Sequence, residues 1–116
     1  MLKKLLIAGA AFAALSVGSA SAETLKLVEV ITSPERTETL KGIVKTFEEA
    51  NPGTTVEIIS LPWGEAFEKF ATMVSAGQTP DVVEMPDTWQ ALYGNNGQLE
   101  DLEPWVAKWD QASDLS

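Results

Sequence analysis

The chain has 116 residues, seventeen acids against eight bases, and neither cysteine nor histidine. That inventory excludes a disulfide framework, thiolate metal sites and the common nucleophile–base pairs, and no metal or cofactor is expected. The excess negative charge repels phosphate backbones and anionic membranes, so nucleic acid is not an expected partner.

Lys3 and Lys4 precede an uncharged, mostly apolar run from Leu5 to Val17, and Ala20-Ser21-Ala22 follows as the small-x-small pattern that a signal peptidase cuts. The run is too short to span a bilayer permanently, which takes about 20 residues, and no second apolar stretch follows that could stop transfer. Residues 1–22 are therefore expected to be a signal peptide cleaved after Ala22, giving a soluble, periplasmic product. Without cysteine no lipid attachment is expected. The leader holds two of the eight bases, so the remainder carries six bases against seventeen acids, a net charge of −11. Such a field favours a neutral or cationic ligand.

The remainder alternates strand and helix patterns. Leu25–Ile31 ends in a β-branched run that predicts a strand buried on both faces. Ser33 and Pro34 predict a helix start, with Glu35 and Glu38 near the positive end of the helix dipole. Leu40, Ile43, Val44 and Phe47 then form an apolar stripe expected to bury against a sheet, and Asn51-Pro52-Gly53 stops the helix. Thr55–Leu61 predicts the second strand, ended by Pro62. A second helix is expected from Gly64 or Glu65 to Ala76, with Phe67, Phe70, Ala71 and Val74 inward and Gly77 as its left-handed cap. Val82–Met85 predicts a third strand. A short helix carries Trp89, Leu92 and Tyr93 and ends in Gly94-Asn95-Asn96-Gly97, and a Pro104-led turn carries Trp105 and Trp109, read as packing residues.

Strands joined through helices by short connections predict an α/β fold with a parallel sheet, whose ligands bind beyond the carboxyl ends of the strands. Three loops qualify. They hold Ser33, Glu35 and Arg36 after the first strand, Trp63 and Glu65 after the second, and Asp87, Thr88 and Trp89 after the third. A sugar has polar edges and apolar C–H faces, and these loops offer both hydrogen-bonding groups and indoles. Two readings stay open for several of them: Ser33, Asp87 and Thr88 also suit helix capping, and Trp63 and Trp89 also suit packing at the sheet end. Glu35, Glu65 and Asp87 are the carboxylates a glycosidase would use, although no pair is marked by its spacing. Glu100-Asp101-Glu103 lacks the alternation and glycine of a calcium loop.

The run Phe47-Glu48-Glu49-Ala50-Asn51-Pro52-Gly53 before a Val-x-Ile strand, and Gly77-Gln78-Thr79-Pro80-Asp81-Val82-Val83 after an amphipathic helix, carry a family resemblance. The chain resembles the family 1 extracellular solute-binding proteins of ABC-type sugar importers, the maltose-binding-protein group, up to about Pro104. The resemblance implies a periplasmic-binding-protein type II fold of two lobes that closes on a sugar or oligosaccharide, hands it to ABC permease subunits and does no chemistry. It places the ligand against Thr32–Arg36 and Pro86–Trp89, with Trp89 as the stacking aromatic and Trp63 and Glu65 in a more variable loop. Two lobes need at least two domains of the usual ~100 to 150 residues. Residues 23–116 are thus expected to be the N-terminal part of the first lobe, without hinge, second lobe or returning segment, marginally folded and weak in binding alone. A polyamine receptor and one lobe of an exported carboxylate-based hydrolase are the alternatives.

Overall fold

The computed structural model describes residues 22–114, so the expected leader lies outside the described residues apart from Ala22. Strand β1 (Glu23–Glu29) lies between β2 (Thr54–Ser60) and β3 (Val82–Val83) in a sheet of order β2-β1-β3. Both pairings are parallel, with Leu25 opposite Val56 and Leu27 opposite Ile58 on one side and Val28 opposite Val83 on the other. Helices α1 (Pro34–Ala50), α2 (Trp63–Ser75), α3 (Asp87–Asn95) and α4 (Glu103–Val106) follow the strands, and a 3-10 turn spans Ala112–Asp114. The expected α/β architecture with a parallel sheet is present.

Local chemistry sets the helix ends. Ser33 Oγ accepts the amide of Arg36 at 3.2 Å, and Pro34 occupies the first turn of α1, where its missing N–H costs nothing. At the other end Asn51 returns its side-chain amide to the Phe47 carbonyl at 2.8 Å, and Gly53 takes φ 96°, a conformation that glycine adopts without strain. Helix α2 starts at Trp63, directly after Pro62, slightly ahead of the expected position. Strand β3 is shorter than expected. Glu84 still donates its amide to the Val28 carbonyl at 2.9 Å, but its side chain then crosses to the β1–α1 loop, and Pro86 starts the turn into α3.

The two faces of the sheet are unlike. Toward α2 and α3, Val28, Val30, Leu61, Ala66, Phe70 and Tyr93 form the buried core, with Ile59, Met73, Val83 and Trp89 packed against it. Toward α1, Leu25, Leu27, Val56 and Val82 look across open clefts of about 490 and 230 Å³ at Leu40, Ile43, Val44 and Phe47. The sequence-based expectation of a buried α1 stripe therefore fails: no α1 residue is buried, and Ile43 is 62% exposed. The reason is geometric, because a two-residue β3 is too short to extend the sheet beneath the full stripe. For the same reason β1 is not buried on both faces; only its carboxyl end, Val28 and Glu29, is enclosed. Phe67, expected inward, is 44% exposed at the start of α2. Trp105 and Trp109, expected to pack, are also exposed. Helix α4 stops at Val106, so the two indoles share no helical face.

Candidate functional site

Because all three strands run parallel, the loops that follow them emerge at one edge of the sheet. The β1–α1 loop is central, flanked by the β2–α2 and β3–α3 loops. Every residue singled out from the sequence lies on this edge or in the helical turn just beyond it.

An aromatic group joins two of these loops. Trp63 and Trp89 lie with ring planes 4° apart and centroids 6.4 Å apart. Phe67 meets Trp89 edge-on at 5.2 Å, and Phe70 lies nearly parallel to Trp89 at 6.2 Å. Phe70 in turn meets Tyr93 edge-on at 5.0 Å, so the chain of rings runs from the core to the rim. Trp89 is packed on that core, whereas Trp63 is 59% exposed. Trp63 and Phe67 are four positions apart in α2, which puts both on one face of the helix. The result is a flat apolar surface at the carboxyl edge.

The polar residues are placed as follows. Ser33 caps α1, and Glu35 stands in its first turn beside the larger cleft. Arg36 donates Nε to the Ile31 carbonyl at 3.1 Å and pairs through Nη2 with the Glu84 carboxylate. Glu65 pairs with Lys69 one turn along α2, and the hydrogen bond from Lys69 holds the Glu65 carboxyl below its ordinary range. Asp87 opens α3; its Oδ1 accepts the Thr88 amide at 3.0 Å, while Pro86 occupies the capping position itself. Ser33 thus has the capping role open to it from sequence, whereas Asp87 and Thr88 lie inside the first turn of α3.

Two acids missed by sequence reading complete the edge. Glu29, at the end of β1, is 2% exposed, and its Oε1 accepts hydroxyls from Thr37 at 2.8 Å and Ser60 at 2.5 Å. Glu84, at the end of β3, accepts the amides of Val30 at 3.3 Å and Ile31 at 3.4 Å as well as pairing with Arg36. The available signal was a single carboxylate interrupting an apolar run at the carboxyl end of each strand. A charge there needs partners if it is enclosed, and both acids have them.

Hydrogen-bonding loops and an exposed indole at the carboxyl edge of an open parallel sheet are the arrangement by which α/β domains bind small molecules. The model described as bacterial extracellular solute-binding protein matches residues 33–115, and the chain belongs to that family. Binding proteins of Brucella abortus (strain 2308) and Brucella suis biovar 1 (strain 1330) are each 28% identical to it over 101 residues, which cover 87% of this chain and 24% of theirs. The atomic-resolution structure of the apo form of RafE from Streptococcus pneumoniae superimposes with a TM-score of 0.62 at 30% identity, covering 80% of this chain and 24% of that one. The chain therefore spans about a quarter of the length of the relatives it matches. No helix among the described residues is long and apolar enough to cross a membrane.

Proposed function

We propose that the chain is part of the first lobe of an exported carbohydrate receptor serving an ABC importer, and that it binds its solute without turnover. The observation that carries this reading is the Trp63–Trp89 pair, an exposed indole backed by a packed one at the carboxyl edge of the sheet, where open α/β domains bind small molecules. An indole face suits the C–H face of a sugar, and Glu35, Asp87 and Thr88 supply rim groups for its hydroxyls. The negative charge of the chain suits a neutral sugar better than an anionic solute. Arg36 keeps guanidinium donors with no partner among the described residues, so a sugar hydroxyl can reach them. In this reading the leader is removed after Ala22, the receptor works in the periplasm with ABC permease subunits, and residues 23–116 alone bind weakly, because the opposing lobe that encloses the sugar is not among them.

Calorimetric titration of the full receptor chain with neutral di- to tetrasaccharides and with polyamines tests this directly. Saturable binding of one saccharide and none of the amines is expected. Preferential binding of spermidine would move the assignment to a polyamine receptor, and release of a shortened saccharide would move it to a hydrolase. A cooperative melt with micromolar saccharide affinity for residues 23–116 alone would contradict the part-lobe reading.

A further inference from the structure

We propose that Glu84 is a positioning residue that fixes the β1–α1 loop for ligand binding, an inference that rests on the carbohydrate-receptor reading above. Two successive amides just after β1, Val30 and Ile31, converge on one carboxylate oxygen of Glu84, while the other oxygen pairs with Arg36. Arg36 closes the circuit by donating Nε to the Ile31 carbonyl. The loop leaving the central strand is thus held at both its N–H and C=O groups by side chains from the residue after β3 and from α1.

The ion pair is not the main contributor. Arg36 and Glu84 are 54% and 30% exposed at their side chains, and pairs this open to water contribute little. The amides differ. Val30 is fully buried, and its N–H has no β3 carbonyl to meet, because β3 has ended at Val83. A side-chain oxygen reaching back from the next residue supplies that acceptor at 3.3 Å, and a buried amide left without an acceptor costs more than the bond itself yields. Glu84 thereby ties the central loop to the β3–α3 loop that carries Asp87, Thr88 and Trp89, so the relative placement of the two rims depends on it. Arg36 serves as the second arm of the bracket.

The test uses the full receptor chain with E84A, E84Q and R36Q, reading amide hydrogen exchange at Val30 and Ile31 alongside affinity for the neutral saccharide panel. In E84A, exchange at these two amides should rise, and affinity fall, by about tenfold or more, with Val28 in the paired part of β1 unchanged. E84Q keeps an oxygen acceptor and should stay within about threefold of the parent on both readouts. R36Q is read on exchange alone, because Arg36 itself faces the ligand, and exchange at Val30 and Ile31 should stay within about threefold of the parent. Unchanged exchange at Val30 and Ile31 in E84A overturns the bracket, and so does an E84Q that behaves like E84A. Lost protection with unaltered affinity overturns the positioning role. If E84A unfolds, exchange rises at every amide, and E84Q against R36Q decides on exchange alone: exchange at Val30 and Ile31 raised about tenfold in R36Q and unchanged in E84Q would assign their protection to Arg36 and refute the proposal. If the parent binds none of the saccharides, the carbohydrate reading fails by itself, while the exchange data still judge the bracket.

Discussion

Asp81 and Lys26 hold each other through two hydrogen bonds: the Lys26 amide donates to Asp81 Oδ2 at 2.8 Å, and the Asp81 amide donates to the Lys26 carbonyl at 2.9 Å. This reciprocal contact starts the β1–β3 pairing one step before Leu27 meets Val82. It gives a physical reason for an aspartate after Pro80. The proline has no N–H to offer the ladder, and the next residue must satisfy the edge of β1 with both its main chain and its side chain. Removing the carboxylate leaves the exposed Lys26 amide to water, so Asp81→Ala should cost about 0.5–1.5 kcal/mol. Asp81→Asn, which retains an acceptor, should cost less. Urea denaturation followed by far-UV circular dichroism checks the order; equal losses for both would mean that the carboxylate is dispensable to strand pairing.

The core and the rim differ in what a phenylalanine does there. Phe70 is 3% exposed and touches both Trp89 and Tyr93, so Phe70→Ala should destabilise by about 3–5 kcal/mol, enough to unfold a marginal domain. Phe67, three positions earlier, keeps much of its ring in water, and its truncation should cost roughly 1 kcal/mol. Thermal melts of the two variants give the comparison. Similar shifts would mean that the rim face of α2 is as enclosed as its core face.

The order of elements and the location of the edge were legible because they rest on local signals: Ser33-Pro34 for a start, Asn51-Pro52-Gly53 for a stop, and alternation along Leu25–Val28. Periodicity identifies which face of a helix is apolar, yet says nothing about whether the sheet is wide enough to cover it. That is why the stripe of Leu40, Ile43 and Phe47 was expected to be buried and instead lines open clefts. The same limit applies to Trp105 and Trp109, whose spacing fits a helix that ends too soon. Glu29 and Glu84 escaped notice because an acid inside an apolar run reads as an outward-facing residue. Only the tertiary arrangement brings Thr37, Ser60 and Arg36 to meet them.

Glu29 carries a prediction of its own. A carboxylate this enclosed depends on its two hydroxyl donors, and Thr37 and Ser60 come from α1 and β2 respectively. Replacing Thr37 by valine keeps the shape and removes one donor, so about 1–3 kcal/mol of stability should be lost. Combining it with Ser60→Ala should cost more than the two single changes suggest, since the pair shares one acceptor atom. A double-mutant cycle in urea measures this. Strict additivity would show that water replaces the missing donors freely.

The exposed Glu65–Lys69 pair predicts an acid response of definite sign. The hydrogen bond from Lys69 lowers the Glu65 pKa below its ordinary 4.5, so the folded state favours the charged carboxylate. Its contribution is present above that ordinary value and is lost as the pH falls through the lowered folded-state value. Because both side chains stand in water, the effect belongs in a site-resolved titration rather than a melting curve. The midpoint of the Glu65 carboxyl carbon signal in NMR should lie below the ordinary range and return toward it in Lys69→Gln. A midpoint indifferent to Lys69 would remove the pair from the acid response.

Trp63 and Trp89 separate binding from stability most clearly. Trp89 contacts Phe70 of the core, so Trp89→Ala should lower stability by about 3 kcal/mol while also removing the support behind Trp63. Trp63 leaves most of its ring in water, and its loss should cost the fold under roughly 1 kcal/mol. If the exposed indole is the surface on which the saccharide rests, Trp63→Ala should weaken binding by the worth of one stacking contact, about 1–2 kcal/mol or tenfold, with the melting temperature nearly unchanged. Trp63→Phe should recover part of that loss, since a smaller ring still presents a flat apolar face. Calorimetry and melting of the same preparations in the full receptor chain separate the two effects. Saccharide affinity untouched in Trp63→Ala would place the binding surface elsewhere on the edge and leave Trp63 as a rim residue without a ligand role.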